Sequence, residues 1–209
     1  MASMDTSNSE KKTSIWISEH IKHTPSVSRG IALGAIGGFV AGLVMAPFIM
    51  ITAILIGMPP ETMPIAMGLM FGAFSRDIAM IVGFGMHMLT SVLIGVVFGA
   101  VTALIKKLRI TGFRKGIIEG IIVGMLAFVV VSIPISMAAM PPILMKMTMQ
   151  MNPNMTQQQI MGMMQQNMPI MIGIGVLRDL VYGAVLGAVT TTLILKMEMR
   201  RGQQEEQQH

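Results

Sequence analysis

From Gly30 onward the chain reads as long apolar runs, broken by prolines and by clusters of basic residues, with polar stretches at both ends. The first run goes from Gly30 past Met50 to about Gly57, ahead of Pro59-Pro60. The second begins as early as Ile78 and ends at Lys106, and the third goes from Gly116 to about Met140, ahead of Pro141-Pro142. The fourth ends at Lys196. A helix needs about 20 apolar residues to cross a hydrocarbon core about 30 Å thick, and each run is long enough. Counting inward from the basic ends puts the cores near 30–50, 86–105, 116–136 and 177–196. The stretches 51–85 and 137–176 are then left over on the outer side, still strongly apolar. They fit either long tilted helices or a cap on the outer leaflet.

The runs come in two matching pairs. Gly30, Gly34 and Gly38 recur at an offset of 86 as Gly116, Gly120 and Gly124, each triplet just after basic residues. At the other end of each pair, Gly95-Val-Val-Phe-Gly99-Ala-Val-Thr102 matches Gly183-Ala-Val-Leu-Gly187-Ala-Val-Thr190 at an offset of 88. Glycines one turn apart let helix backbones approach closely in lipid, where apolar side chains gain little by contact with each other. The prediction is therefore an all-α integral membrane protein: four transmembrane helices as two tandem two-helix hairpins, with an apolar Met-rich outer cap. Residues 1–28 form a tail with an amphipathic interfacial helix over Thr13–His23, and 29–108 the first hairpin. Residues 109–197 form the second hairpin, with a Met-rich outer loop over 137–171, and 198–209 a disordered tail.

Composition agrees with this class. Apolar residues make up 53% and charged residues 12% of 209, with mean hydropathy +0.68. Ordinary soluble domains carry about 25% charge. The formal charge of +5 is not gathered in a nucleic-acid patch, so no nucleic-acid partner is expected. Twelve of the fifteen Lys and Arg fall in the two tails, at Arg29 and in the hinge between Lys106 and Lys115; the others are Arg76, Lys146 and Arg178. By the positive-inside rule this places both termini and the hinge in the cytoplasm of a multi-pass cell-membrane protein.

Ionisable residues inside spans are costly and are functional candidates by default. His87 lies 19 residues before Lys106 and Asp179 lies 17 before Lys196, so His87, Arg178 and Asp179 should share a depth near the outer boundary. Thr90 and Ser91 hold the repeat positions of Arg178 and Asp179, and Tyr182 is close by in sequence. Arg178 and Asp179 are neighbours, which point apart on a helix, so they are not expected to satisfy only each other. The bland alternative is that these groups simply reach the interface or tie helices together. Glu119 reads as a carboxylate suited to a helix N-terminus.

The chain has 26 methionines and no cysteine. Twelve of those methionines fall between Met137 and Met171, and Met145, Met147, Met149, Met151 and Met155 crowd one short stretch. Thioethers are soft ligands that select Cu(I), so these five are candidate metal ligands and Cu(I) the one candidate cofactor. The stretch is similar to the Met motifs of the high-affinity copper transporter family, in this loop and in the glycine steps alone. That family has three spans in another order, so its fold is not implied here. The alternative is that Met replaces Leu and Ile in an interfacial helix. Thr156–Met168 reads as such a helix, with a capping box at Thr156 and Gln159 and one face of Ile160, Met161, Met164 and Met168.

No nucleophile, phosphate-loop or zinc-protease motif is present, and the expectation is a protein that is not an enzyme. Two functions stay open: binding or transport of Cu(I) through the outer Met-rich loop, or a non-catalytic accessory subunit of a membrane complex, such as a membrane-bound metalloenzyme. Expected partners are the lipid bilayer and either further copies of the chain or other membrane proteins. The topology is directly testable, because single cysteines are clean probes in a cysteine-free chain. A cysteine at position 150 should react with an impermeant maleimide added outside cells, and one at position 110 should not; the reverse result contradicts the topology.

Overall fold

The computed structural model describes residues 26–207. The interfacial helix expected over Thr13–His23 lies outside these residues. The described chain is helical, with four helices long and apolar enough to cross a membrane. We number them α1 (Val27–Leu55), α2 (Thr62–Met70), α3 (Arg76–Leu104), α4 (Phe113–Ala127), α5 (Met140–Met151) and α6 (Gln157–Glu206). A single 3-10 turn, Lys106–Leu108, joins α3 to α4. No break in helical conformation separates α4 from α5. Two wider π-helical turns, Phe128–Ser132 and Ile135–Ala139, carry the chain past Pro134. A proline lacks the amide proton and crowds the preceding turn, and widening the helix is one way to absorb it.

The apolar excess at the ends away from the hinge is therefore mostly helix, as extensions of the long helices and as the separate short helix α2. Phe113–Met151 spans 39 residues, about 58 Å at the α-helical rise, against a hydrocarbon core of about 30 Å. The segment 137–171 is helix, turn and helix. The turn at 152–156 leads into the predicted capping box: the Thr156 amide donates to Gln159 Oε1 at 2.8 Å, and the Gln159 amide to Thr156 Oγ1 at 3.3 Å. The tail from residue 198, expected to be disordered, continues as helix to Glu206. Met, Arg, Gln and Glu are good helix formers, and no proline stops the helix there.

Breaks fall where the sequence supplies them. Gly57 and Gly72 adopt φ of +77° and +85°, a region that side chains disfavour, and end α1 and α2. Ser75 caps α3 by accepting the Ile78 amide at 3.3 Å. At the hinge, Lys115 Nζ donates to the carbonyls of Lys107 at 3.1 Å and Arg109 at 2.6 Å, so one side chain ties the whole turn to the start of α4.

The helices pack in a repeating way. α1 lies along α3 and α4 lies along α6, while α1 also packs on α6 and α2 on α3. At the first interface Gly30 faces Gly99, Gly34 faces Gly95 and Gly99, and Gly38 faces Ser91 and Gly95. At the second, Gly116 faces Thr191 and Gly187, Gly120 faces Gly183 and Gly187, and Gly124 faces Asp179 and Gly183. A methyl group on Gly34 would meet the Gly95 carbonyl and come within 2.9 Å of Gly99 Cα. On Gly120 it would meet the Gly183 carbonyl and come within 2.8 Å of Gly187 Cα. Between the two pairs, Gly37 faces Thr190 and Leu186. The buried cluster of Ala41, Met45, Phe98, Tyr182 and Leu186 draws on both pairs.

These contacts leave no room for a side chain. Gly34→Ile and Gly120→Ile should each cost at least about 1–3 kcal/mol, the range for overpacking a tight interface, and lower the thermal midpoint in detergent. A methyl group on Gly85 or Gly173 meets nothing within 4 Å. Gly85→Ala and Gly173→Ala should therefore leave the midpoint unchanged or raise it. Equal effects at all four positions would contradict the steric account.

Candidate functional site

Two places gather chemistry. The first is a tier of polar groups across the bundle. Arg178 and Asp179, neighbours on α6, do bond to each other: Arg178 Nε donates to Asp179 Oδ1 at 3.0 Å and Nη2 to Oδ2 at 3.2 Å. They are not left to each other alone. The Ser132 hydroxyl donates to Asp179 Oδ2 at 2.8 Å and accepts from Arg178 Nη2 at 3.0 Å. Ser132 closes the first π-helical turn, so the widening beside Pro134 coincides with the hydroxyl that both charges use. Asp179 is buried, and its backbone carbonyl is the atom a side chain on Gly124 would meet.

His87 and Tyr182 complete the tier without joining the ion pair. His87 Nε2 lies 3.1 Å from the Gly42 carbonyl, linking α3 to α1. The Tyr182 hydroxyl donates to the Ser91 carbonyl at 2.6 Å, linking α6 to α3. Among the described hydrogen bonds none joins His87 to Arg178 or Asp179. Thr90 donates to Met86 within its own helix. On the hinge side, Glu119 is buried and lies 3.6 Å from Lys115.

The second place is the methionine-rich end. Met145, Met147, Met149 and Met151 lie on α5, an α-helix. Alternation brings sulfurs together in extended chain but sets them about 200° apart on a helix, so these residues form two stripes, Met145/Met149 and Met147/Met151. The inward positions of α5 are Leu144 and Thr148. Met149 and Met151 are exposed, and Met155 is half-buried in the following turn. On α6, Ile160 is fully buried while Met161 and Met168 are exposed, so the inner face differs from the predicted one. Instead Met163, Met164 and Met171 line a cavity of about 20 Å³, together with Met58, Thr148 and Asn167. Among the described residues no group of three or more His, Cys, Asp or Glu could hold a metal.

The sequence reading did not pick out Ser132 or Met58. A lone serine in an apolar run carries no signal until its helix partner is known. Met58 is remote from the Met-rich stretch in sequence, and the turn at Gly57 brings it there.

The described chain is all-helical, with four apolar spans that make it compatible with a multi-pass protein of a lipid bilayer. Comparison with protein-family models, with curated proteins and with solved structures finds no match.

The ion pair gives a test. Removing one partner strands the other charge, whereas replacing both with apolar residues is close to neutral. Arg178 is partly exposed, so we expect Asp179→Leu to cost about 1–3 kcal/mol, below the range for a fully buried pair. The double change Arg178→Leu with Asp179→Leu should recover most of that loss. A double variant no more stable than the single one would show that the two residues are not coupled.

Proposed function

We propose that the chain is a cell-membrane protein of two tandem two-helix hairpins, both termini cytoplasmic, which binds Cu(I) through thioether sulfur at its Met-rich extracytoplasmic end. The two glycine-lined interfaces support the hairpin reading, because each pairs the first long helix of one half with the last of the same half at equivalent positions. The observation that carries the copper reading is that methionines far apart in sequence, Met58 on one side and Met163, Met164 and Met171 on the other, line one cavity. In a chain without cysteine this offers a monovalent soft ion neutral thioether sulfur, beside the neutral oxygen and nitrogen groups of Thr148 and Asn167. Binding serves either sequestration or transport of the ion, with no covalent chemistry by the protein.

A second reading is a non-catalytic accessory subunit, packed against other membrane proteins or further copies of itself. It is favoured by the stripe Ile118, Ile122, Leu126, Val129 and Val130 along the continuous helical segment Phe113–Met151, each 55–64% exposed. Lipid covers such a stripe as well as a partner does.

Copper separates the two readings. The whole protein in detergent should take up Cu(I) in competition with a chromogenic chelator and should not retain Zn(II). Thioethers need lose no proton to bind, so uptake should persist in mildly acidic buffer. A protein that leaves all Cu(I) with the chelator would contradict the copper reading and leave the accessory-subunit reading in its place.

A further inference from the structure

We infer that the Cu(I) ligands are Met58, Met163, Met164 and Met171, rather than the crowded Met145–Met155 stretch that draws attention in the sequence. The inference rests on reading this end of the molecule as a Cu(I) site, and it specifies which sulfurs hold the ion.

Geometry favours this set. Met163, Met164 and Met171 come from one side of α6, at spacings of one and seven residues that a helix keeps on adjoining positions. The capping box at Thr156 and Gln159 holds the start of that helix about two turns away. Met58 approaches from another part of the chain on a defined backbone. Gly57 sets the turn at φ +77°, the Met58 amide donates to the Ala53 carbonyl at 2.9 Å, and Pro59 follows. All four methionines are half-buried, neither sealed in the core nor free in solution. The cavity they line has about 20 Å³, room for roughly one water-sized occupant.

The remaining wall settles the kind of ion. The Thr148 hydroxyl donates to the Leu144 carbonyl at 2.8 Å, which occupies its proton. Asn167 adds a neutral amide. No charged residue lines the cavity, so a divalent ion would bring two uncompensated charges into a half-buried site. A monovalent soft ion brings one and finds polarisable sulfur. The alternating methionines of α5 lack this arrangement. Their two stripes flank the inward Leu144 and Thr148, and Met149 and Met151 are turned outward.

The test uses the full chain in detergent and Cu(I) itself. The triple variant Met163→Leu, Met164→Leu, Met171→Leu keeps apolar volume and should weaken Cu(I) binding at least about tenfold, a loss seen even for partners outside the ligand sphere. The triple variant Met147→Leu, Met149→Leu, Met151→Leu should bind as the natural chain does. The opposite ranking, or equal binding by both, overturns this ligand set and leaves the copper reading standing. No Cu(I) binding by the natural chain overturns both. Should the α6 variant fail to fold, the natural chain supplies the answer. Ag(I), a redox-inert soft stand-in, should slow peroxide oxidation of Met58, Met163, Met164 and Met171 to sulfoxides, read residue by residue by mass spectrometry, and leave Met149 and Met151 unaffected. Protection of Met149 and Met151 instead, or of no methionine, would overturn the assignment.

Discussion

Close approach of backbones is the constraint on which the rest depends. In lipid, two apolar helix faces gain little by leaving hydrocarbon for each other, so contact must come from dispersion and dipoles at short range. Side chains hold helices apart, and glycine removes them. Every fourth residue over Gly30–Gly38 of α1 and Gly116–Gly124 of α4 is given up to this purpose, and each of these six glycines stands against backbone atoms of α3 or α6. The large apolar side chains then point outward, as Leu93, Val97, Ile118 and Ile122 do. Such a surface would aggregate in water and is at home in a bilayer.

Once the backbones are fixed, the register of the polar groups follows. Gly38 faces the Ser91 carbonyl and Gly124 faces the Asp179 carbonyl, and Ser91 and Asp179 are equivalent in the repeat. The same notch thus carries a small hydroxyl in one half and a carboxylate in the other. In the first half the backbone carbonyl of Ser91 accepts from the Tyr182 hydroxyl, and in the second the Asp179 carboxylate is neutralised by Arg178 and accepts from the Ser132 hydroxyl. The repeated glycine pattern of the sequence thus meets different polar groups at this position in its two halves. The ends away from the hinge diverge further. The first half returns through the short α2, whereas the second adds α5 and a long extension of α6.

Much of this was legible in the sequence, and the reason is physical. Glycine triplets in an apolar run have few uses other than packing, and Gly34 and Gly120 lie against the backbones of Gly95 and Gly183. Span count followed from length and from basic residues, which stay out of hydrocarbon. The methionine register was not legible. Alternation at Met145–Met151 suggests convergence in an extended chain, and the helical conformation separates the same residues. The face of α6 read from the sequence, Ile160, Met161, Met164 and Met168, was only partly the inner one: methionines occur all round the first turns, and Ile160 is buried while Met161 and Met168 are exposed. The role of Ser132 depended on a π-helical turn that a proline permits but does not dictate.

The equivalence of the two halves can be measured at one pair of positions in each. An ideal Cβ on Gly30 lies 2.8 Å from the Ala103 Cβ, and one on Gly116 lies 3.0 Å from the Thr191 Cβ, at corresponding places near the hinge. Disulfides hold Cβ atoms about 3.5–4.5 Å apart, a separation these helix ends reach by a small relaxation. The chain has no cysteine of its own. The measurement is disulfide closure under mild oxidation in Gly30→Cys with Ala103→Cys and, separately, Gly116→Cys with Thr191→Cys. Both should close within a single chain, while pairs displaced by two residues, 30 with 101 and 116 with 189, should stay reduced. Closure of the displaced pairs in preference, or closure in one half and not the other, would contradict the duplicated glycine-packed architecture.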